Sequence, residues 1–222
     1  MSRPLPAAVL WDMDGTLIDS EPYWIAAEEE LADIHGGSWS KEQALQCVGN
    51  SLVVSAGILQ QAGVDLPVDE IVEELLDRVV ARTVEHVPWR PGAQELFHAL
   101  ADAGVPCALV TASYARFAAV VAEASQGALT VVVPGDAVTH GKPDPECFLT
   151  AARLLNVPPE ACVAIEDSRP GIAAAMASGA RTLGVECMLP IPVMPGLSRA
   201  RSLSAISLDD VCRIAAGEVL DR

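Results

Sequence analysis

Hydrophobic residues follow two different rhythms along the chain, and the change between them divides the sequence. A short apolar run at 7–11 predicts a buried strand. From 19 to about 85 the apolar positions recur only at helical spacing, with no strand signal of any length. Beyond Gly92, helical stretches alternate with short apolar or β-branched runs. This alternation is typical of a parallel sheet with helices on both faces.

The pattern predicts individual elements as well as the fold class. Helices are expected in the first half of the chain at 19–34, 41–47, 52–62 and 68–85. Strands are expected at 7–11, 107–110, 130–133, 161–165 and 181–185. Further helical segments are expected at 93–103, 115–123, 146–155 and 170–178, with a short final unit at 204–216. The Pro-rich stretch at 188–197 is interpreted as a surface loop, and the run Glu28–Glu30 as a solvated helix face.

The helical block interrupts the strand–helix alternation directly after the first strand. The simplest explanation is an insertion that leaves and rejoins an α/β core through two neighbouring linkers, both of which contain Pro or Gly. We therefore expect a catalytic core formed by 1–18 and 88–222, and an inserted small α-helical cap domain formed by 19–87.

The charge and composition of the chain disfavour several kinds of binding partner. The chain has 222 residues and a net charge of −16, which disfavours binding to nucleic acid or to anionic lipid. No uninterrupted apolar run reaches the length of about 18 residues that a membrane span needs. No signal peptide is apparent, and the six cysteines are scattered without a Cys-x-x-Cys pair. We expect a cytoplasmic protein with reduced thiols and no membrane association.

Two carboxylates stand at the end of the first predicted strand. Asp12 and Asp14 are two residues apart, so on an extended segment their side chains point the same way. Gly15 permits a sharp turn immediately afterwards. Like charges this close repel unless a cation lies between them, and oxygen ligands favour Mg²⁺. The pair therefore predicts a magnesium site.

Polar residues follow three more of the predicted strands. They are Thr111 to Ser113, Lys142, and Glu166 with Asp167. In open parallel sheets, ligands bind at the carboxyl ends of the strands, where neighbouring loops converge. Each group also has a simpler reading, since a strand-end Asp is an ordinary turn former, Thr or Ser caps a helix, and a loop lysine is usually solvated. Their combination favours a functional site.

The chemistry of these groups suits phosphoryl transfer. Asp12 is placed to attack phosphorus, while Asp14 can protonate the leaving oxygen and later accept a proton from water. Asp167, with Asp12 and the Asp14 backbone carbonyl, would hold Mg²⁺, and Glu166 is a weaker candidate ligand. Thr111, neighbouring backbone N–H groups and Lys142 would bind the phosphoryl oxygens.

These residues carry a resemblance to a known family. The stretch Asp12–Thr16, Thr111 at a strand end, Gly141–Pro145, and Glu166–Ser168 with Gly171-Ile172 resemble the four motifs of the haloacid dehalogenase-like hydrolases, in order and spacing. The resemblance spans nearly the whole chain. It implies a Rossmann-like core, a helical cap, Mg²⁺ and an aspartyl-phosphate intermediate on Asp12. It also implies a substrate-binding role for Thr111, Ala112, Ser113 and Lys142, and for Gly49 and Asn50 in a cap loop.

The resemblance also indicates which of the family's reactions this chain is expected to catalyse. In the family, an aspartate at the position of Asp14 is typical of members that hydrolyse phosphate esters or act as phosphomutases. Mutases similar to beta-phosphoglucomutase carry a histidine ten residues further on, where this chain has Trp24. We therefore expect a monomeric phosphatase acting on a small phosphorylated metabolite, such as a sugar phosphate. A sugar phosphomutase and a non-catalytic phosphometabolite-binding protein remain the alternatives.

Overall fold

The chain forms two compact units in the computed structural model, which describes residues 4–47, 51–188 and 190–222. One unit consists of Met1–Asp19 and Pro88–Arg222, and the other of Ser20–Val87. The sequence pattern places the first boundary one residue earlier. Two chain crossings connect the units, and the core residues at these crossings are paired: the Asp19 N–H donates to the Pro88 carbonyl at 2.9 Å, and the Arg90 N–H to the Leu17 carbonyl at 2.8 Å.

A parallel sheet forms the centre of the first unit. Its strands in the described chain are β1 (Ala8–Trp11), β2 (Cys107–Val110), β3 (Leu129–Val133), β4 (Cys162–Glu166), β5 (Arg181–Val185) and β6 (Leu197–Ala200). They lie in the order β3-β2-β1-β4-β5-β6, and every neighbouring pair is parallel. The chain moves from β1 to one side of the sheet and later returns to the other side. The carboxyl end of β1 is therefore a topological switch point, where such sheets bind ligands.

Strand β6 is missing from the elements predicted from the sequence. Leu197–Ala200 contains no β-branched residue, so intrinsic preference gives no strand signal. Hydrogen bonds to neighbouring segments, and not the residue types of β6, hold it in an extended conformation. On one side β6 is bonded to β5, and on the other the Arg199 N–H donates to the Leu220 carbonyl at 2.7 Å. Ile191, inside the Pro-rich stretch, is buried against Ile172 and Leu197, so that stretch is anchored to the core at this point.

The second unit is helical. Its elements in the described chain are α1 (Glu21–Ile34), α2 (Lys41–Cys47), α3 (Leu52–Gln61) and α4 (Val68–Glu85). Helices α1 and α4 are joined at their surface by ion pairs of Glu30 with Arg78 and Arg82. The expected solvated face is wrong for Glu28, which is only 3% exposed. Burial raises the pKa of this carboxyl to about 7.

Five more helices of the described chain pack around the sheet. They are α5 (Ala93–Asp102), α6 (Ala115–Ala124), α7 (Glu146–Leu154), α8 (Arg169–Ala177) and α9 (Leu208–Ala215). Helices α7 and α8 cover one face, where Phe148 packs in a cluster with Leu10 and Val110. Helices α5 and α9 contact each other and the sheet. All four residues of β1 have zero exposure, as expected for a strand covered on both faces. The predicted Rossmann-like α/β core is confirmed.

Among the described residues, none of the helices combines the length and the apolar character required to cross a lipid bilayer.

Candidate active site

The end of β1 delivers two carboxylates into a tight turn. Asp12 is 5% exposed, and its N–H donates to the Ile165 carbonyl of β4 at 3.0 Å. The chain then turns through Gly15, whose φ of +84° favours glycine. A Cβ atom on Gly15 would lie 2.2 Å from Oδ2 of Asp167. Glycine is therefore required both for the turn and for the close approach of Asp167.

Lys142 joins three strand ends through one ammonium group. Its Nζ donates to Oδ1 of Asp12 and to Oε1 of Glu166, both at 2.6 Å, and to the Val110 carbonyl at 3.0 Å. The side chain is 7% exposed. Burial alone would lower the pKa of Lys142, but the charges of Asp12 and Glu166 outweigh it and raise the pKa well above its ordinary value. Lys142 is therefore a buried, charged ammonium.

The loop that carries Lys142 is ordered by a carboxylate at the start of α7. Glu146 accepts the N–H groups of Thr139 and His140, each at 2.8 Å. Its side chain also contacts the His140 ring at 3.0 Å. These bonds brace the loop on both sides of Lys142. They therefore fix the backbone from which the long side chain of Lys142 extends to the site.

Glu166 is fully buried, and protein donors occupy both of its oxygens. Oε1 accepts Lys142, while Oε2 accepts the N–H groups of Asp167 and Ser168 and the Ser168 hydroxyl, each at 2.9 Å. Gly171 of α8 leaves the room for this carboxylate, because a Cβ there would lie 1.7 Å from Oε1. Glu166 thus fixes the backbone of Asp167 and the position of Lys142.

Three acidic side chains converge at this point. Carboxylate oxygens of Asp12, Glu166 and Asp167 lie within 4.8 Å of one another. Burial and the charge of Glu166 raise the pKa of Asp12 above its ordinary value and that of Asp167 to about 7. Oδ2 of Asp12 is buried without a hydrogen-bond partner. Three carboxylates against one ammonium, with an orphaned acceptor oxygen, fit a divalent cation.

Asp14 is held by the end of β2. The hydroxyls of Ser113 and Thr111 donate to its Oδ2 at 2.7 and 3.3 Å. The N–H of Ser113 in turn donates to Oγ1 of Thr111 at 2.9 Å. Ala112, between them, points its carbonyl at Gly135, where a Cβ would lie 2.1 Å from that oxygen. The turn after β2 is therefore packed directly against the turn after β3.

The structure brings most of the predicted site residues together. Seven side chains lie at the carboxyl ends of β1, β2 and β4 in two groups: Asp12, Lys142, Glu166 and Asp167 form one, and Asp14, Thr111 and Ser113 form the other. Gly49 and Asn50 lie outside the described residues. Gly135 was not singled out from the sequence, although a glycine directly after Pro134 at a strand end is a signal for close backbone approach.

Most of the chain matches the model of one protein family. The model of the haloacid dehalogenase-like hydrolases matches residues 6–179. The chain belongs to the haloacid dehalogenase-like hydrolase family.

Several relatives of this haloacid dehalogenase-like hydrolase are named as phosphatases. Hexitol phosphatase A of Escherichia coli (strain K12) is 31% identical over 198 residues, covering 82% of this chain and 84% of that protein. The bifunctional riboflavin kinase/FMN phosphatase of Arabidopsis thaliana is 32% identical over 187 residues, covering 82% of this chain and 49% of that protein. The chain thus spans about half the length of the plant relative. The chain is a phosphoric monoester hydrolase.

A solved structure supports the same fold assignment. CbbY from Rhodobacter sphaeroides, in complex with phosphate, superposes with a TM-score of 0.79 at 27% identity, covering 90% of this chain and 96% of that chain.

Gly171→Ala tests whether Glu166 depends on the space beside it. The new Cβ would collide with a carboxylate that is buried and fully bonded, so we expect a loss of about 1–3 kcal/mol in the free energy of unfolding. Urea titration measures it. The matched control is Gly57→Ala in α3, where a Cβ meets nothing within 4 Å. This control should gain about 0.5–1 kcal/mol. Wild-type stability in Gly171→Ala would contradict the packing described.

The raised pKa of Asp167 predicts that the stability of chelator-treated protein depends on pH. This pKa is about 7 when the protein is folded, against an ordinary 3.8, so between these values the folded state binds more protons than the unfolded state. The free energy of unfolding contributed by Asp167 therefore falls as pH rises through this window. Asp167→Asn should reduce that fall when urea midpoints are compared at about pH 5 and pH 8. Exposed Asp102→Asn is the control, and an equal slope in both variants would refute the expectation.

Proposed function

We propose that the chain is a Mg²⁺-dependent phosphatase that hydrolyses a small phosphorylated metabolite, such as a sugar phosphate, through an aspartyl-phosphate on Asp12. One observation carries the proposal. Asp12 is buried, bound by Lys142 through Oδ1, and has its second oxygen without a protein partner. An oriented carboxylate with one unused oxygen, beside a second carboxyl at Asp14, matches the needs of a nucleophile with a neighbouring acid and base.

The proposed metal ligands are the side chains of Asp12 and Asp167 and the backbone carbonyl of Asp14. When bound, Mg²⁺ would reduce the repulsion between an anionic nucleophile and an anionic substrate. Glu166 is a less suitable direct ligand, because Lys142, Ser168 and backbone N–H groups already use its oxygens. We propose that Glu166 acts on the metal site by orienting Asp167.

The proposed reaction has two steps. Asp12 forms a bond to phosphorus as the bond between phosphorus and the ester oxygen breaks, and Asp14 gives its proton to that oxygen. A water molecule then forms a bond to phosphorus as the bond to Asp12 breaks, and Asp14 takes a proton from the water. Thr111 and the Ala112 N–H are proposed to bind the phosphoryl oxygens, which carry the charge in the transition state. Lys142 is proposed to bind them as well, by giving up its hydrogen bond to the Val110 carbonyl.

Substrate choice is proposed to depend on the helical unit Ser20–Val87, acting as the cap, with Gly49 and Asn50 as candidate contacts. The Escherichia coli relative is named a hexitol phosphatase, which supports a phosphorylated sugar or polyol as substrate. A sugar phosphomutase is not favoured, because Trp24 replaces the histidine that the mutase resemblance requires. A non-catalytic binding role has no feature in its favour. We further propose that the protein is a monomer and acts in the cytoplasm.

A substrate panel with Mg²⁺ tests the proposal. Sugar, polyol and nucleotide phosphates should release inorganic phosphate, and EDTA should abolish the release until Mg²⁺ is restored. Asp12→Asn should lower kcat by at least about 10⁴-fold while the circular dichroism spectrum is kept, because the amide cannot form the covalent intermediate. Asp102→Asn, with the same charge change on the surface, should retain full activity.

Two results would contradict the proposal. One is the absence of phosphate release across the whole panel. The other is substantial turnover by Asp12→Asn, which would remove Asp12 as the nucleophile.

A further inference from the structure

Two hydroxyl groups converge on one oxygen of Asp14. The Ser113 hydroxyl donates to Oδ2 at 2.7 Å and the Thr111 hydroxyl at 3.3 Å. A hydroxyl has a single hydrogen to donate. A hydroxyl that donates to Asp14 therefore cannot donate to a phosphoryl oxygen at the same time. The short bond from Ser113 is the stronger of the two, whereas the long bond from Thr111 is more easily exchanged for a substrate oxygen.

We infer that Ser113 is a positioning residue for Asp14, and that its hydroxyl serves proton transfer rather than phosphate binding. The inference rests on the proposed function, in which Asp14 is the acid and the base. It changes the role expected for Ser113 from the sequence, where it is grouped with the phosphate ligands.

The frame around Ser113 is suited to this task. The Thr111 N–H donates to the Val133 carbonyl at 3.1 Å, and the Gly135 N–H donates to the Ser113 carbonyl at 2.8 Å. Gly135 also packs against the Ala112 carbonyl. The segment 111–113 is therefore held by the end of β3 on one side and bonded to Asp14 on the other. The short bond from Ser113 restricts the rotation of the Asp14 carboxyl group, also when Thr111 bonds the substrate instead.

A fixed carboxyl group matters for the chemistry. Proton transfer needs the acid within about 2.6–3.2 Å of the receiving oxygen, so a carboxyl that rotates freely spends little time in reach. In the first step the Asp14 O–H bond breaks as the ester oxygen leaves phosphorus and becomes an alcohol. In the second step the Asp14 carboxylate takes a proton from the attacking water. Ser113 takes up no proton in either step and contributes only through the placement of Asp14.

The test compares two leaving groups in Ser113→Ala. An alkyl ester such as a hexose phosphate needs its leaving oxygen protonated, whereas 4-nitrophenolate leaves without a proton. Because both esters share the second step, the comparison uses kcat/KM, which reports the first step; we expect it to fall about 10- to 100-fold for the alkyl ester and by less than about threefold for 4-nitrophenyl phosphate. The inhibition constant of inorganic phosphate should change by less than about twofold, because no phosphate contact is removed.

Three further variants complete the experiment. Ser113→Thr keeps the hydroxyl and should restore alkyl-ester turnover to within about threefold of wild type. Ser113→Cys keeps the shape but is a weaker donor, so it should behave like Ser113→Ala even if the alanine variant folds poorly. Thr130→Ala is the control, since that hydroxyl bonds the Cys107 carbonyl at the opposite end of the sheet and should leave both esters unaffected.

An equal loss of kcat/KM with both esters, together with weaker inhibition by phosphate, would overturn the inference and make Ser113 a phosphate ligand. Wild-type turnover of the alkyl ester in both Ser113→Ala and Ser113→Cys would overturn it as well. Failure of the proposed function is distinguishable, because wild-type protein would then hydrolyse neither ester.

Discussion

The arrangement of the site depends on one buried ammonium group. Lys142 contacts Asp12 and Glu166 at 2.6 Å each, in a position almost closed to solvent. Removing these charges from water is costly, and their attraction offsets the cost only when further hydrogen bonds satisfy the remaining oxygens. Glu166 meets that condition with three additional donors. Asp12 does not, because one of its oxygens has no protein partner. The unsatisfied part of the network is the part where we propose that metal and substrate bind.

Close approach between backbone and side chains makes this network compact. Gly15 and Gly171 each occupy a position where a Cβ would overlap a carboxylate, of Asp167 and of Glu166 respectively. A Cβ on Gly135 would likewise overlap the Ala112 carbonyl in the turn after β2. The sheet places the strand ends side by side, but the glycines allow the loops to close the last few ångströms. The geometry of the site therefore depends on these glycines, which lack a Cβ, as well as on the polar groups themselves.

Much of this could be predicted from the sequence, since strand periodicity and the polar residues at strand ends require only local patterns. Contacts between distant residues could not. Nothing local indicates that Ser113 bonds Asp14, that protein donors occupy both oxygens of Glu166, or that Glu28 is buried. These outcomes depend on tertiary packing, which gives adjacent residues of one charged run different environments. Strand β6 also escaped prediction, because its extended conformation follows from pairing with its neighbours rather than from its own residues.

The most direct measurement is to trap the covalent intermediate. Asp14→Ala should still accept a phosphoryl group from 4-nitrophenyl phosphate, because that leaving group needs no proton, but it should fail to activate water. With Mg²⁺ present, intact-protein mass spectrometry should then show one added PO₃ unit, and the combined variant Asp12→Asn, Asp14→Ala should show none. Release of 4-nitrophenol without any adduct, or an adduct that persists in the combined variant, would contradict nucleophilic catalysis by Asp12.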